Sequence, residues 1–382
     1  TNVTALAASS LADLGTLATA IGNNEFSNDS GLTTIAVSDT TIDATTLATR
    51  IDSYDSINGG ATTNMTLPSG ATINVDANEV DHMLADESAG RLTIGDQDIT
   101  VTNAITVDQA NLLTATTSGV VTATIATTET VTELATLVEH GSNNVDAALT
   151  IVIRAADETA CTAAQLNTIN DATSVAVNLT NVTALAASNL TDLATLHTNR
   201  AGFSNTSNIA TINLTNDGGG SNGHVDFDTL HSVIDDYKTD IKNNVSFVPH
   251  TADTIDIDSS NELTNFLTHI SNDNLTLSNQ SITVDSSVAV SVANAKSLAA
   301  DTSGTVTATI DTTALVTSLV ELRQPDGSNN ETNAWTIVIH GNNATNCSAA
   351  QLNTINDATS VAVDLTNVTA LAASSLADLG TL

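Results

Sequence analysis

Apolar residues recur along this chain at two spacings that take turns. In SVAVNLT, from Ser174, the residues Val175, Val177 and Leu179 alternate with polar neighbours, as a strand with one buried face requires. The VTATI runs at Val121 and Val306, and the segments LTIVI at Leu149 and WTIVI at Trp335, are rich in β-branched residues and predict further strands. Between such segments the spacing becomes that of a helix. In NELTNFLTHI, Leu263, Phe266, Leu267 and Ile270 fall at i, i+3, i+4 and i+7, and Leu230, Val233, Ile234, Tyr237 and Ile241 form a second stripe. Ser259 with Glu262, T-A-A-Q at Thr162 and S-A-A-Q at Ser348 each place a hydroxyl three residues before Glu or Gln, the spacing of a capping box. Helix candidates near Ala5, Thr45, Ala77, Val107, Thr130 and Thr162 predict about six strand and helix units per half, near 30 residues each.

These units belong to larger repeats. The letters TNVTALAASSLADLGTL occupy residues 1–17 and return unchanged at 366–382, which sets a period of 365 residues and predicts that copies continue in both directions. A weaker copy lies inside it, because TAAQLNTINDATSVAVNLTNVTALAAS from Thr162 returns as SAAQLNTINDATSVAVDLTNVTALAAS from Ser348. The half-period is about 180 to 186 residues, and even the rare Tyr54 and Tyr237 correspond. The chain therefore divides into a first half-repeat at 1–179, a second at 180–365, and the start of a further repeat at 366–382.

Units of 30 residues cannot bury a helix face alone. Stacked in sequence order, they predict an α/β fold: a repetitive solenoid of strand–helix units with a parallel sheet. The alternative is a row of compact α/β domains, one per half-repeat. No Pro/Gly-rich linker marks the half boundaries, and NVTALAAS runs straight on from a strand, which favours the solenoid.

Charge narrows the function. The 382 residues carry 43 Asp and Glu against 8 Lys and Arg, a formal charge of −35. Nucleic-acid binding needs the clustered cations this chain lacks, and an anionic membrane surface would repel it. No run of eighteen apolar residues exists, so no membrane insertion is expected. With 41% hydrophobic residues in regular positions, folding is expected despite the acidity.

Candidate chemistry is sparse. Asp96 with Asp98, Asp226 with Asp228, Asp256 with Asp258, and the NDGGGSNG loop at Asn216 gather oxygen ligands of the kind calcium takes, although turn and capping roles explain the same residues. No cofactor is required by any motif, and calcium is the one ion these clusters suggest. Cys161 and Cys347 sit at equivalent points before the two A-A-Q helices; they read as buried thiols or as disulfides to a neighbouring chain. The eight His form no i, i+4 pair around a Glu, and one Trp, two Tyr and five Phe are few for stacking sugars, so no enzyme is expected. Sequons at Asn2, Asn64, Asn181, Asn213, Asn274 and Asn343 are no more than the composition produces.

The segments SGVVTATIATTETVTELATL, AAQLNTINDATSVAV and ITVDQANLLTATTSG resemble the repeats of giant Thr- and Asp-rich surface proteins of marine bacteria, especially cyanobacteria. The resemblance implies a secreted or cell-surface protein, of a class tied to surface coats, adhesion and motility, and it transfers no catalytic residue. Residues 216–250 depart most from the repeat. The expectation is a structural segment of an extracellular fibre, sheath or coat that associates with copies of itself. The alternatives are an adhesin stalk or phage-like fibre with its binding head elsewhere, and a repeat that binds calcium, glycan or ice.

Overall fold

Hydroxyl and carboxylate side chains ahead of the apolar stripes start most of the helices. In the computed structural model, which describes residues 3–26, 31–58, 62–138, 147–215, 223–242, 244–322 and 333–382, Ser10, Asp43, Thr106, Thr130 and Thr162 each accept a first-turn amide hydrogen bond. The capping boxes read at Thr162 and Ser348 form in full. Ser259 accepts the Glu262 amide, whereas the Glu262 carboxylate reaches back to the amide of Asp258, at 2.9 Å.

In chain order the elements begin β1 (Ala5–Ser9), α1 (Leu11–Gly22), β2 (Thr34–Val37), β3 (Thr41–Asp43), α2 (Ala44–Ile57), β4 (Asn64–Thr66), β5 (Thr72–Asp76), α3 (Val80–Ser88), β6 (Leu92–Thr93), β7 (Asp98–Ile105), α4 (Val107–Thr116) and β8 (Val121–Ile125). There follow α5 (Val131–Leu134), β9 (Ala148–Thr150), α6 (Ala163–Asp171), β10 (Val177–Asn178), β11 (Ala184–Ser188), α7 (Leu190–Thr198), β12 (Phe203–Ser204), β13 (Thr211–Leu214), β14 (His224–Asp226) and α8 (Phe227–Asp240). The chain ends with β15 (Ser246–Val248), β16 (Thr254–Ile257), α9 (Ser260–Ser271), β17 (Ser281–Val284), β18 (Ala289–Val290), α10 (Val292–Asp301), β19 (Val306–Ile310), α11 (Val316–Leu319), β20 (Ala334–Thr336), α12 (Ala349–Asn356) and α13 (Leu376–Thr381). The segment at Ala5, expected as a helix, is strand β1, and its helix begins only after Ser10.

Two compact units result, Thr1–Val182 with Asn199–Asn208 and Thr183–Thr198 with Ile209–Leu382. In the first, strands order β1-β2-β4-β6 in one sheet and β3-β5-β7-β8-β9 in another, with β10 beside β12. In the second, β11-β13-β15 form one sheet, and β14-β16-β17-β19 form another that β18 and β20 join at β19. All ladders between these strands are parallel. The expected strand–helix repeat is present, but its strands are shared among several sheets. The reason is local: strands such as β2 and β3, or β4 and β5, follow each other across a tight turn that sends the second into a different sheet before the helix returns the chain. The turn at Gly70 uses a positive φ of 68°, which glycine takes without strain.

In-register pairing lines up like with like. Ile42, Ile73, Ile99 and Val121 are successive partners, as are Val225, Ile255, Ile282 and Val306, and all eight are fully buried. Each such side chain is worth ~1.5–3 kcal/mol relative to an exposed one. Polar side chains fasten the turns between them. Buried Gln97 donates to the Pro68 carbonyl at 2.9 Å, accepts the Gly95 amide at 2.6 Å, and its own carbonyl accepts the Thr117 hydroxyl at 2.5 Å. Gln280 repeats all three bonds in the second unit, with Pro249, Ser278 and Thr302. Gly119 and Gly304 follow in the same S-G step, where a Cβ would lie 2.3 Å from the carbonyl oxygen of that glutamine.

The helix stripes need one revision. Phe227, Leu230, Val233, Ile234 and Tyr237 are the buried residues of α8, close to expectation, but α9 buries Glu262, Leu263, Phe266 and His269, while Leu267 and Ile270 are only partly covered. The face of α9 is therefore turned toward its polar residues.

Gly119→Ala is expected to lower unfolding stability by at least ~1–3 kcal/mol, because backbone must move. Gly22→Ala, at a helix end with open space around it, should be neutral or stabilising by ~0.4–1 kcal/mol. Denaturant titration of both variants checks the pair; equal effects would contradict the close turn packing.

Candidate functional site

The acidic pairs singled out in the sequence take structural roles. Asp96 accepts from the Ser69 hydroxyl and from the Gly70 amide at 3.3 Å, and those bonds, the hydroxyl's first, hold its carboxyl below the usual range. Asp98 opens β7 and accepts the Val120 amide at 2.8 Å. Asp226 caps α8 through the amides of Asp228 and Thr229, at 2.8 and 3.4 Å, and Asp228 lies in the first turn that this cap starts. Asp256 is its register partner on β16 and lies 2.8 Å from Nδ1 of His224. Desolvation first, and then the neighbouring Glu262, Asp256, Asp285 and Asp226, raise the Asp258 carboxyl. The structure thus gathers Asp226, Asp256 and Asp258 along one edge, while Asp96 and Asp98 serve separate donors. His224, Asp226 and Asp256 also border an open groove of about 610 Å³ beside Leu190 and Val233. Of the NDGGGSNG loop, residues 216–222 lie outside the described residues, as does the sequon at Asn2.

Cys161 and Cys347 are both fully buried free thiols. Cys161 Sγ donates to the Asp157 carbonyl at 3.4 Å and Cys347 Sγ to that of Asn343 at 2.8 Å. Burial pushes the Cys161 thiol up to about 12 and raises that of Cys347 as well. A bond from either sulfur to another chain requires its pocket to open. Asn274 and Asn343 are buried too, which removes these two sequons from reach of a glycosylating enzyme in the folded chain.

Polar groups that sequence reasoning missed lie where helices pack in each unit. In the first, Asp86 of α3 is buried beneath Arg91, whose guanidinium also reaches Asp55 at 3.3 Å and Asp52 at 4.0 Å. Burial raises Asp86, and Arg91 pulls it partly back. At the matching place in the second unit stand His231 and Asp235 of α8 and His269 of α9. His231 Nδ1 and His269 Nε2 are 2.8 Å apart, with Asp235 Oδ2 3.6 Å from the first and Asp235 Oδ1 3.8 Å from the second. Only 3% of the His269 side chain is exposed, and its Nδ1 has no partner. Burial, before any other cause, lowers its pKa to about 4, so the ring is neutral at pH 7. The one legible trace in the sequence is the i, i+4 spacing of His231 and Asp235; nothing local announces that His269 joins them.

Among the described residues no helix is long and apolar enough to cross a membrane. Compared with known proteins, the chain matches no family model, no curated protein and no solved structure.

Because both thiols are protonated and covered, iodoacetamide at pH 8 is expected to modify neither until the chain unfolds, and then both. Peptide mass analysis along a denaturant series checks this; rapid modification of Cys161 in the native chain would contradict its burial.

Proposed function

We propose that this chain is a structural repeat segment of a large extracellular or cell-surface protein, in which strand and helix units stack in sequence order as an acidic solenoid. The observation that carries this reading is the fate of one motif in three settings. At the first copy, Leu14 is 1% exposed beneath α2, and the Tyr54 hydroxyl donates to its carbonyl at 3.0 Å. At the related second copy, Leu193 is 0% exposed, and the Tyr237 hydroxyl of α8 makes the same bond at 3.0 Å. At the third copy, identical in letters to the first, the matching Leu379 is 44% exposed and Leu376 is 88% exposed. A leucine face that is covered wherever a tyrosine-bearing helix follows is suited to receive such a helix.

Repetition of this step needs no linker, since each unit buries the face left by the one before and offers a new one. The surface chemistry agrees with life outside a cell. A charge of −35 keeps copies apart at low ionic strength, and salt or divalent cations would let them lie side by side. The partners in this reading are copies of the same chain, and calcium is a surface bridge rather than a resident cofactor.

Appending residues 18–58 after Leu382 recreates at the third copy the setting of the first. Amides in residues 376–382 are then expected to exchange with solvent at least about tenfold more slowly. Hydrogen exchange read by mass spectrometry checks this, and unchanged exchange in the extended chain would remove the support for stacking.

A further inference from the structure

The geometry points to a binding site for one zinc-class divalent cation, formed by His231 and Asp235 of α8 together with His269 of α9. His231 and Asp235 are four residues apart and share one face of their helix. His269 arrives from the helix packed against it. One donor atom from each of the three lies within 4.8 Å of the other two. Around a zinc ion with bonds of ~2.0–2.2 Å, tetrahedral ligand atoms stand ~3.3 Å apart. The two ring nitrogens stand 2.8 Å apart, Asp235 Oδ2 lies 3.6 Å from His231 and Oδ1 3.8 Å from His269, so rotations that bring one carboxylate oxygen toward both nitrogens close the set. In the empty site one ring donates a proton to the other; a bound ion takes the place of that proton.

The surroundings hold the rings for this role. The Phe227 ring stacks on His231 at 5.8 Å and meets His269 edge-on at 6.2 Å, which limits ring rotation. His231 Nε2 lies 3.0 Å from the Asn265 side-chain amide, whose oxygen, after a flip of the amide, accepts the Nε2 proton of a metal-bound imidazole. Asp235 is half exposed, which leaves an approach from solvent and room for water as a further ligand. The Lys238 ammonium, 3.8 Å from Asp235, is the group an arriving ion displaces, and its flexible stem lets it swing away. Two imidazoles favour zinc, cobalt or nickel over calcium, which takes oxygen ligands. In the first unit the matching place holds Asp86 and Arg91, and the guanidinium already occupies it. Among the described residues one such ion is therefore expected.

Co²⁺ titration followed by visible absorption, with ZnCl₂ calorimetry on the full chain, tests the site. The expected result is a saturable cobalt spectrum at one ion per chain, displaced by Zn²⁺, with Zn²⁺ raising the melting temperature. His231→Gln and Asp235→Asn, both on the solvent side, should each weaken binding at least about tenfold while circular dichroism stays unchanged. No saturable spectrum, or the same affinity in the His231→Gln/Asp235→Asn double variant, would overturn the proposal. Because these two substitutions avoid the buried His269, loss of folding does not blur the outcome.

Discussion

In-register parallel pairing of aliphatic residues is the constraint on which the rest of this chain depends. Ile42, Ile73, Ile99 and Val121 form one such column and Val225, Ile255, Ile282 and Val306 another. A slip of one residue would turn a whole strand's buried set outward, so register is fixed by the core itself. The turn bonds of Gln97 and Gln280 then tie the turn ahead of β5 to that ahead of β7, and the turn ahead of β16 to that ahead of β17, through carbonyls and amides of the main chain. Short strands, several only two or three residues long, are carried by parallel pairing with a neighbour, and the inner strands of each sheet, such as β5, β7, β16 and β17, are paired on both sides.

The same constraint explains the composition. A repeat this short spends many residues on turns and helix starts, and there Ser, Thr, Asp and Asn serve as caps and as acceptors for backbone amides. Much of the acidity is therefore structural at its origin: Asp43, Asp76, Asp96, Asp226 and Asp311 each accept bonds from nearby amides. The net charge follows from that usage together with the scarcity of Lys and Arg. Where a polar group falls in a buried seam it has been given company, Arg91 for Asp86 in one unit and His231 for His269 in the other.

Much of the fold was legible because periodicity reports which face is buried. The VTATI strands and the capping boxes at Thr162 and Ser348 are formed as read, and the stripe of α8 is nearly so. What periodicity cannot report is the direction of the chain after a tight turn. Two strands separated by three to five residues look like one broken strand, and their assignment to separate sheets depends on tertiary pairing. The α9 stripe misled for a related reason, since Leu267 and Ile270 satisfy the helical spacing while packing selected the face with Glu262 and His269. The candidate site was legible least of all. Its acidic residues were visible as clusters, but whether they converge depends on register, which brings Asp226 beside Asp256 and leaves Asp96 and Asp98 with separate donors.

A stacked scaffold and a row of independent domains differ in how length grows with copy number. Electron microscopy of a chain of three tandem 365-residue periods measures this directly. The proposed stacking, with twelve units per period at ~4.8 Å each, predicts a rod of uniform width that lengthens by ~58 Å per added period. Separate globules joined by gaps of variable length would contradict the account.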